Sequence, residues 1–230
     1  MVDLVVLDMA GTTVADEDFV AKAFVTAFRD NGFTVTHADV NPLMGYPKPV
    51  AIQMILEKAG EEVDDALVED IHNDFINEMM AFYEDSPSVQ PVPGAEDLFF
   101  YLKERGIRVA LNTGFSREIA QVIMYRFQWA ERGLVDEYIA SDEVPQGRPY
   151  AYMINELKAR TGLPEDAEVM KVGDTPVDIL EGRNAGCKYV VAVATGAFTQ
   201  DQLREHGPTH LITSLSQVPA ILKETVATHA

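Results

Sequence analysis

The sequence predicts an α/β fold: a Rossmann-like, doubly wound parallel sheet with a small all-helical cap inserted after its first strand. Three observations predict it. Short β-branched runs alternate with helical patterns through the second half of the chain, as in a parallel sheet covered on both faces. The first such run, residues 2–7, ends in Asp8 and a small glycine-containing loop, and in open α/β sheets that strand edge is where ligands bind. The next strand pattern begins only at Ile107, a gap of about 90 residues that no simple crossover fills.

The elements follow in order. After the first strand, Val20, Phe24, Ala27 and Phe28 fall on one helical face, residues 50–59 read as another helix, and Val68, Ile71, Phe75, Met79 and Phe82 form a further stripe. These make residues 16–86 the helical cap and leave residues 1–15 and 87–230 as the core domain, with Pro87, Pro91 and Pro93-Gly94 marking the return. The methionine and aromatic stripes of the cap read as packing core rather than a cofactor box. Leu98, Phe99 and Leu102 recur at helical spacing, with Gly106 as a stop. Strand patterns follow at residues 107–111, 138–140, 169–172, 189–194 and 210–213. Between them, Ser116 is an N-cap candidate for a helix carrying Ile119, Val122, Ile123 and Phe127, and Met153, Ile154 and Leu157 mark another. Thr175-Pro176 opens a helix ending near Gly186, with proline in the first turn, where it is tolerated.

Composition bounds the function. The 230 residues are 47% hydrophobic, enough for one domain of ordinary size and a smaller one. Eighteen basic against 37 acidic residues give a net charge of −19. That field repels nucleic acid and anionic membranes, and an anion site needs local positive potential. Cys187 is the single cysteine, so no internal disulfide forms, which fits a reducing compartment. The N-terminal apolar run is too short for a secretory signal and is interrupted by Asp3. No run approaches the roughly 18 apolar residues of a membrane span. The expected protein is cytoplasmic and acts on a small molecule.

Asp8 is the first candidate for chemistry, although an aspartate after a strand is by itself a turn or cap residue. Three further signals accompany it. Leu111-Asn112-Thr113-Gly114 ends the second strand with a hydroxyl and a flexible turn. Gly147-Arg148-Pro149 sets a cation before a helix. Val172-Gly173-Asp174-Thr175-Pro176-Val177-Asp178 ends the fourth strand with two acids four residues apart, continuing through Glu181-Gly182-Arg183-Asn184-Ala185-Gly186. The bland reading of Asp174 and Asp178 is helix capping.

Together these segments resemble the four motifs of the haloacid dehalogenase superfamily. The resemblance implies that Asp8 is a nucleophile and a Mg²⁺ ligand, that Asp174 and the Ala10 carbonyl are further ligands, and that Asp178 joins them through metal-bound water. It also implies that Arg148, Thr113 and the loop amides near Gly11 and Thr12 hold a phosphoryl group. Most members carry lysine where Arg148 stands; arginine offers a planar, bidentate donor that keeps its proton.

One departure sharpens the resemblance. Phosphatases of the superfamily carry an acid at the Ala10 position, which protonates the leaving oxygen. Asp-x-Ala-Gly-Thr-Thr is similar instead to the phosphonoacetaldehyde hydrolase (phosphonatase) branch, which cleaves a carbon–phosphorus bond. That branch forms a Schiff base between a cap lysine and the substrate carbonyl. Met44-Gly45-Tyr46-Pro47-Lys48 matches its Met-Gly-x-x-Lys segment, which implies the Schiff-base role for Lys48 and places Met44, Gly114 and Phe115 at the substrate. Alone, Lys48 reads as a solvated loop lysine. The branch has histidine where this chain has Ala51, and commonly tyrosine where it has Phe115. Proton transfer then falls to water or another group, with Tyr46 and His37 as candidates, while His72 reads as structural. The resemblance also suggests a homodimer through cap helices. The expected activity is Mg²⁺-dependent hydrolysis of a small 2-oxoalkylphosphonate. The alternatives are a phosphatase of small monoesters such as phosphoglycolate or sugar phosphates, and a non-enzyme that binds a phosphorylated ligand.

Overall fold

The computed structural model describes residues 2–227, with side chains through Lys223. Strand β1 (Leu4–Asp8) is buried along its whole length, the place of an unbroken aliphatic run in a parallel sheet. The chain then leaves the sheet for α1 (Phe19–Asp30), α2 (His37–Val40), α3 (Lys48–Ala59) and α4 (Asp65–Asp85). It returns through α5 (Ala95–Lys103), β2 (Arg108–Thr113), α6 (Arg117–Phe127), β3 (Glu137–Ala140) and α7 (Tyr152–Arg160). β4 (Val169–Gly173), α8 (Pro176–Asn184), β5 (Tyr189–Val193), α9 (Gln200–Glu205), β6 (His210–Ile212) and α10 (Val218–Ala227) complete it.

The six strands form one parallel sheet in the order β3-β2-β1-β4-β5-β6. β1 is central. β2 and β3 extend to one side of it and β4 to β6 to the other, so the winding reverses across β1 and opens a crevice at the C-terminal ends of β1, β2 and β4. Register pairs Asp8 with Asn112 and Leu7 with Val172. β2 runs past its apolar stretch through Thr113, because Asn112 and Thr113 still pair with Ile139 and Ala140 of β3. Two short helices, α2 and α9, go beyond the sequence expectations; the first has four residues and the second six, too few to show a period. At α6 the expected N-cap holds by position only. Ser116 makes no side-chain cap bond, and the Arg117 N–H donates to the Asp142 carboxylate at 2.9 Å instead.

The apolar stripes expected between the strands are found. Val20, Phe24, Ala27 and Phe28 are buried, as are Ile71, Phe75, Met79 and Phe82. α1 and α4 lock together through Phe19 stacked on Phe82 at 3.6 Å and Phe24 tilted on Phe75 at 4.6 Å. Their side chains join those of β1, α5 and α6 in one continuous apolar cluster, so the inserted helices are packed down on the core. The two segments that connect them to it run side by side. The Ala15 N–H donates to Gln90 O at 3.0 Å and the Val92 N–H to Thr13 O at 2.9 Å. Glu17 (φ 46°) and Asp18 (φ 64°) then turn the chain into α1, a left-handed pair that costs about 1–2 kcal/mol per residue.

Candidate active site

The inserted helices close the crevice into a single cleft. Asp8, Ala10, Met44, Lys48, Thr113, Gly114, Phe115, Arg148 and Asp174 line it together. Gly11, Thr12 and Asp178 stand just behind that wall. Gly11 has φ +84°, and a Cβ there would lie 2.4 Å from Asp174 Oδ2, so only glycine lets the loop turn against this carboxylate. Thr12 Oγ1 donates to Asp174 Oδ1 at 2.7 Å, and Thr13 Oγ1 donates to Asp8 O at 2.8 Å. The resemblance gives the amides near Gly11 and Thr12 to a phosphoryl group, and here the structure differs. The Gly11 N–H donates to Val14 O at 2.8 Å and the Thr12 N–H to Met9 O at 3.2 Å. A turn closing directly off a buried strand needs its own amides for pairing. Gly11 and Thr12 therefore shape the loop and hold Asp174.

Asp174 lies between β4 and α8, outside the helix. The two acids are thus not brought together by one turn of helix, as their spacing suggests, but by a capping box. Thr175 Oγ1 donates to Asp178 Oδ2 at 2.6 Å, and the Asp178 N–H donates back to Thr175 Oγ1 at 3.3 Å. Capping and site membership are the same arrangement here.

A buried charge network backs Asp8. Arg148 Nη1 stands 2.6 Å from Asp8 Oδ1 and 3.2 Å from Asp178 Oδ1, and its Nε stands 3.2 Å from Glu181 Oε2. Its Nη2 donates to Asn112 O at 2.8 Å and to Asn112 Oδ1 at 2.6 Å. Lys171 of β4, also fully buried, stands 3.0 Å from Asp178 and 3.2 Å from Glu181, and donates to Asn112 Oδ1. Asn112 Nδ2 donates to both Glu181 oxygens. Sequence reasoning missed Lys171, Glu181 and the hub role of Asn112. The available signal was a lysine and an asparagine inside two buried strand patterns, which need partners to be there.

The donor set fits a hard divalent cation. Asp8, Asp174 and Asp178 offer oxygens that all lie within 4.8 Å of one another. Burial pushes the Asp8 carboxyl up to about 6 against the pull of Arg148. Burial, then the charges of Asp8 and Asp178, push Asp174 well above the usual carboxylate range. Burial acts on Asp178 in the same sense, but Arg148 and Lys171 outweigh it and hold that group low. Arg148 and Lys171 face four buried carboxylates, Asp8, Asp174, Asp178 and Glu181, with the buried Lys48 on the opposite wall. Carboxylates remain in excess, and carboxylate oxygens with a backbone carbonyl suit Mg²⁺.

The facing wall comes from the inserted helices. Lys48 is the first residue of α3 and only 3% exposed; it is not the solvated loop lysine that it resembles in isolation. Pro47 and Pro49 flank it, and both fit a helix start. The Lys48 ammonium lies 4.9 Å from the centroid of Phe115, 5.4 Å from that of Phe24 and 5.8 Å from that of Phe75. The aromatic stripe read as core packing therefore also builds a cage for this amine. Burial lowers the Lys48 pKa to about 8, against the charges of Asp8 and Asp16 and with that of Arg148. Asp16 lines the same cleft, although the sequence reading treats it only as a boundary. Tyr46 and His72 line a separate groove beyond Pro47, and His37 opens α2.

Insert and core approach closely at three glycines around the cleft. A Cβ on Gly114 would lie 2.6 Å from Tyr46 O, one on Gly45 2.4 Å from Thr175 Oγ1, and one on Gly147 2.6 Å from Pro47 Cγ. The cavity that remains inside measures about 30 Å³.

Comparison with known proteins shows the family. Residues 2–186 match the family model for haloacid dehalogenase-like hydrolases. The chain belongs to that family. Among curated relatives of this hydrolase is the phosphonoacetaldehyde hydrolase of Parabacteroides distasonis, 30% identical over 207 residues, or 84% of this chain and 76% of the relative. A solved structure, a phosphonoacetaldehyde hydrolase-like protein from Oleispira antarctica, superimposes with a TM-score of 0.84 at 22% identity, covering 97% of this chain and 92% of that one. A predicted phosphoglycolate phosphatase from Haemophilus somnus does so with a TM-score of 0.76 at 18% identity, covering 96% and 98%. At those identities the two structures establish the fold. No helix among the described residues is long and apolar enough to cross a membrane.

Proposed function

We propose that this hydrolase cleaves the carbon–phosphorus bond of a small 2-oxoalkylphosphonate, phosphonoacetaldehyde or a close analogue. The observation that carries the reading is a buried, ring-caged lysine amine sharing one cleft with a buried carboxylate, while Ala10 offers no acid beside it. Hydrolysis of an ordinary phosphate ester calls for a proton on the departing oxygen, and losing such help costs roughly 100- to 10,000-fold. A departing carbon needs a sink for its electrons instead, and an iminium on Lys48 provides one.

The chain's residues divide the work. The neutral Lys48 amine adds to the substrate carbonyl, and loss of water leaves a protonated imine. An Asp8 oxygen attacks phosphorus. The carbon–phosphorus bond breaks, its electron pair passes into the iminium, and an enamine remains on Lys48 while Asp8 carries the phosphoryl group. Protonation of the enamine carbon and hydrolysis release the carbonyl product and the amine. A further water hydrolyses the aspartyl-phosphate to inorganic phosphate, so one water is consumed overall. Arg148 and the Thr113 hydroxyl orient the phosphonate oxygens, and Met44, Gly114 and Phe115 enclose the carbon end. Asp8, the Ala10 carbonyl, Asp174 and Asp178 would hold Mg²⁺, which when bound neutralises charge between phosphonate and nucleophile. Residues 16–86 carry Lys48 over the sheet edge, and in this reading they act as a cap that opens for entry and closes for reaction.

The test is phosphate release with Mg²⁺ from phosphonoacetaldehyde, run beside phosphoglycolate and sugar phosphates. Phosphonate turnover, loss of activity on borohydride reduction with substrate present, and a reduced adduct on Lys48 are the expected results. Lys48→Arg is expected to be inactive. Fast ester turnover with the phosphonate untouched would overturn the proposal in favour of a phosphatase.

A further inference from the structure

We propose that Asp16 is a catalytic residue that carries protons at the Lys48 end of the cleft, as the imine forms and as it is hydrolysed. This inference rests on the Schiff-base reading. A carbinolamine becomes an imine only by expelling its hydroxyl as water, so a proton must reach that oxygen, and hydrolysis runs the same transfer backwards.

The cleft offers few groups for the task. Asp8 and Asp174 belong to the metal-fitting cluster with Asp178. Arg148 is tied to Asp8, Asp178, Glu181 and Asn112 and keeps its proton. Thr175 Oγ1 donates to Asp178, and Ala10 and Ala51 have nothing to exchange. Asp16 is the remaining carboxylate on the lining.

Its placement suits the role. Asp16 Oδ1 accepts from the Val20 N–H at 2.9 Å, which fixes the carboxyl at the start of α1. Its Oδ2 has no protein partner among the described residues. Asp16 and Lys48 line the same cleft and act on each other's charge without forming an ion pair among the described residues. Burial raises the Asp16 pKa above the ordinary aspartate value, against the Val20 N–H and the charge of Lys48, which is the direction that favours carrying a proton. Tyr83 supplies an independent observation. Its hydroxyl is fully buried and has no hydrogen-bond partner among the described residues, and Asp16 is the foremost charge acting on it. A buried phenol left without a partner, under the charge of that carboxylate, has a hydrogen bond still to offer.

The test uses the full chain carrying Asp8→Asn, which blocks phosphoryl transfer and isolates imine formation. The probe is phosphonoacetaldehyde with cyanoborohydride, and mass spectrometry follows the rate at which Lys48 is reduced onto it. Adding Asp16→Asn keeps an oxygen for the Val20 N–H but removes the exchangeable proton, and it is expected to slow trapping about 100-fold. With Asp16→Ala in its place, added formate is expected to recover about 10-fold of the loss. Equal trapping in the Asp16→Asn variant overturns the proposal, and so does a slowed Asp16→Ala variant that formate leaves unchanged. A parent chain that is never trapped at Lys48 removes the Schiff-base reading itself, an outcome distinct from a parent and variant that trap equally fast.

Discussion

The Lys48 ammonium sits 4.9 Å from the centre of the Phe115 ring, and that contact joins the inserted helices to the turn after β2. The rings compensate the charge only in part. Burial takes the pKa from an ordinary 10.5 to about 8, a difference worth roughly 3 kcal/mol against the charged form.

Lys48→Met is therefore expected to stabilise the fold at pH 7, by about 1–3 kcal/mol in urea denaturation. The sign follows from linkage. Between about 8 and 10.5 the folded protein binds fewer protons at Lys48 than the unfolded chain does, so wild-type stability gains on the variant as pH rises through that window. Equal stability of the two proteins at pH 7 would contradict a desolvated charge.

The rate of borohydride trapping is expected to rise with pH as the amine loses its proton and to level off above about 8. Below that value the neutral fraction falls about tenfold per unit. A profile that keeps climbing toward pH 10 would mean an amine in the ordinary lysine range.

Arg148→Lys keeps the charge but loses the fork. A lysine cannot meet Asp8, Asn112 and Glu181 at once, as the guanidinium does. Phosphate release is expected to fall about 100-fold or more, and unfolding to become easier by about 3 kcal/mol, because buried carboxylates are left without their partner. A variant with near-wild-type stability and turnover would show that one point charge suffices.

Gly196→Ala addresses the metal-fitting cluster from outside the motifs. A Cβ there would lie 1.7 Å from Asp174 Oδ2, so the carboxylate must move. Mg²⁺ affinity, read by titration of phosphate release, is expected to weaken at least about 10-fold. Unchanged affinity would separate Asp174 from the metal.

Much of this site is legible in the sequence, and what is legible is local. Asp8, Thr113 and Asp174 each follow a strand pattern, and Arg148 opens a helical segment, so the parallel-sheet topology alone gathers them at one edge. Three helices of the insertion are read from spacing in the same way, while the four-residue α2 is too short to show a period. The remainder depends on pairing across the fold. Asn112 becomes a hub because register sets it beside Asp8, and Lys171 and Glu181 meet it from β4 and α8. The Lys48 cage needs Phe24, Phe75 and Phe115, from α1, α4 and the turn after β2, at one point. Asp16 gains its place only when that cage is assembled. The Gly11 and Thr12 amides mislead because a motif records which residues occur and not which hydrogen bonds the turn consumes.

Around the rim, Gly45, Gly114 and Gly147 present bare main chain to the opposing surface. With no side chain of their own in the way, these three points let insert and core close tightly around the cleft. The same tightness makes the seal fragile: a single methyl at any of the three would act as a wedge, holding the cleft ajar and letting bulk solvent reach the amine that the aromatic rings keep dry.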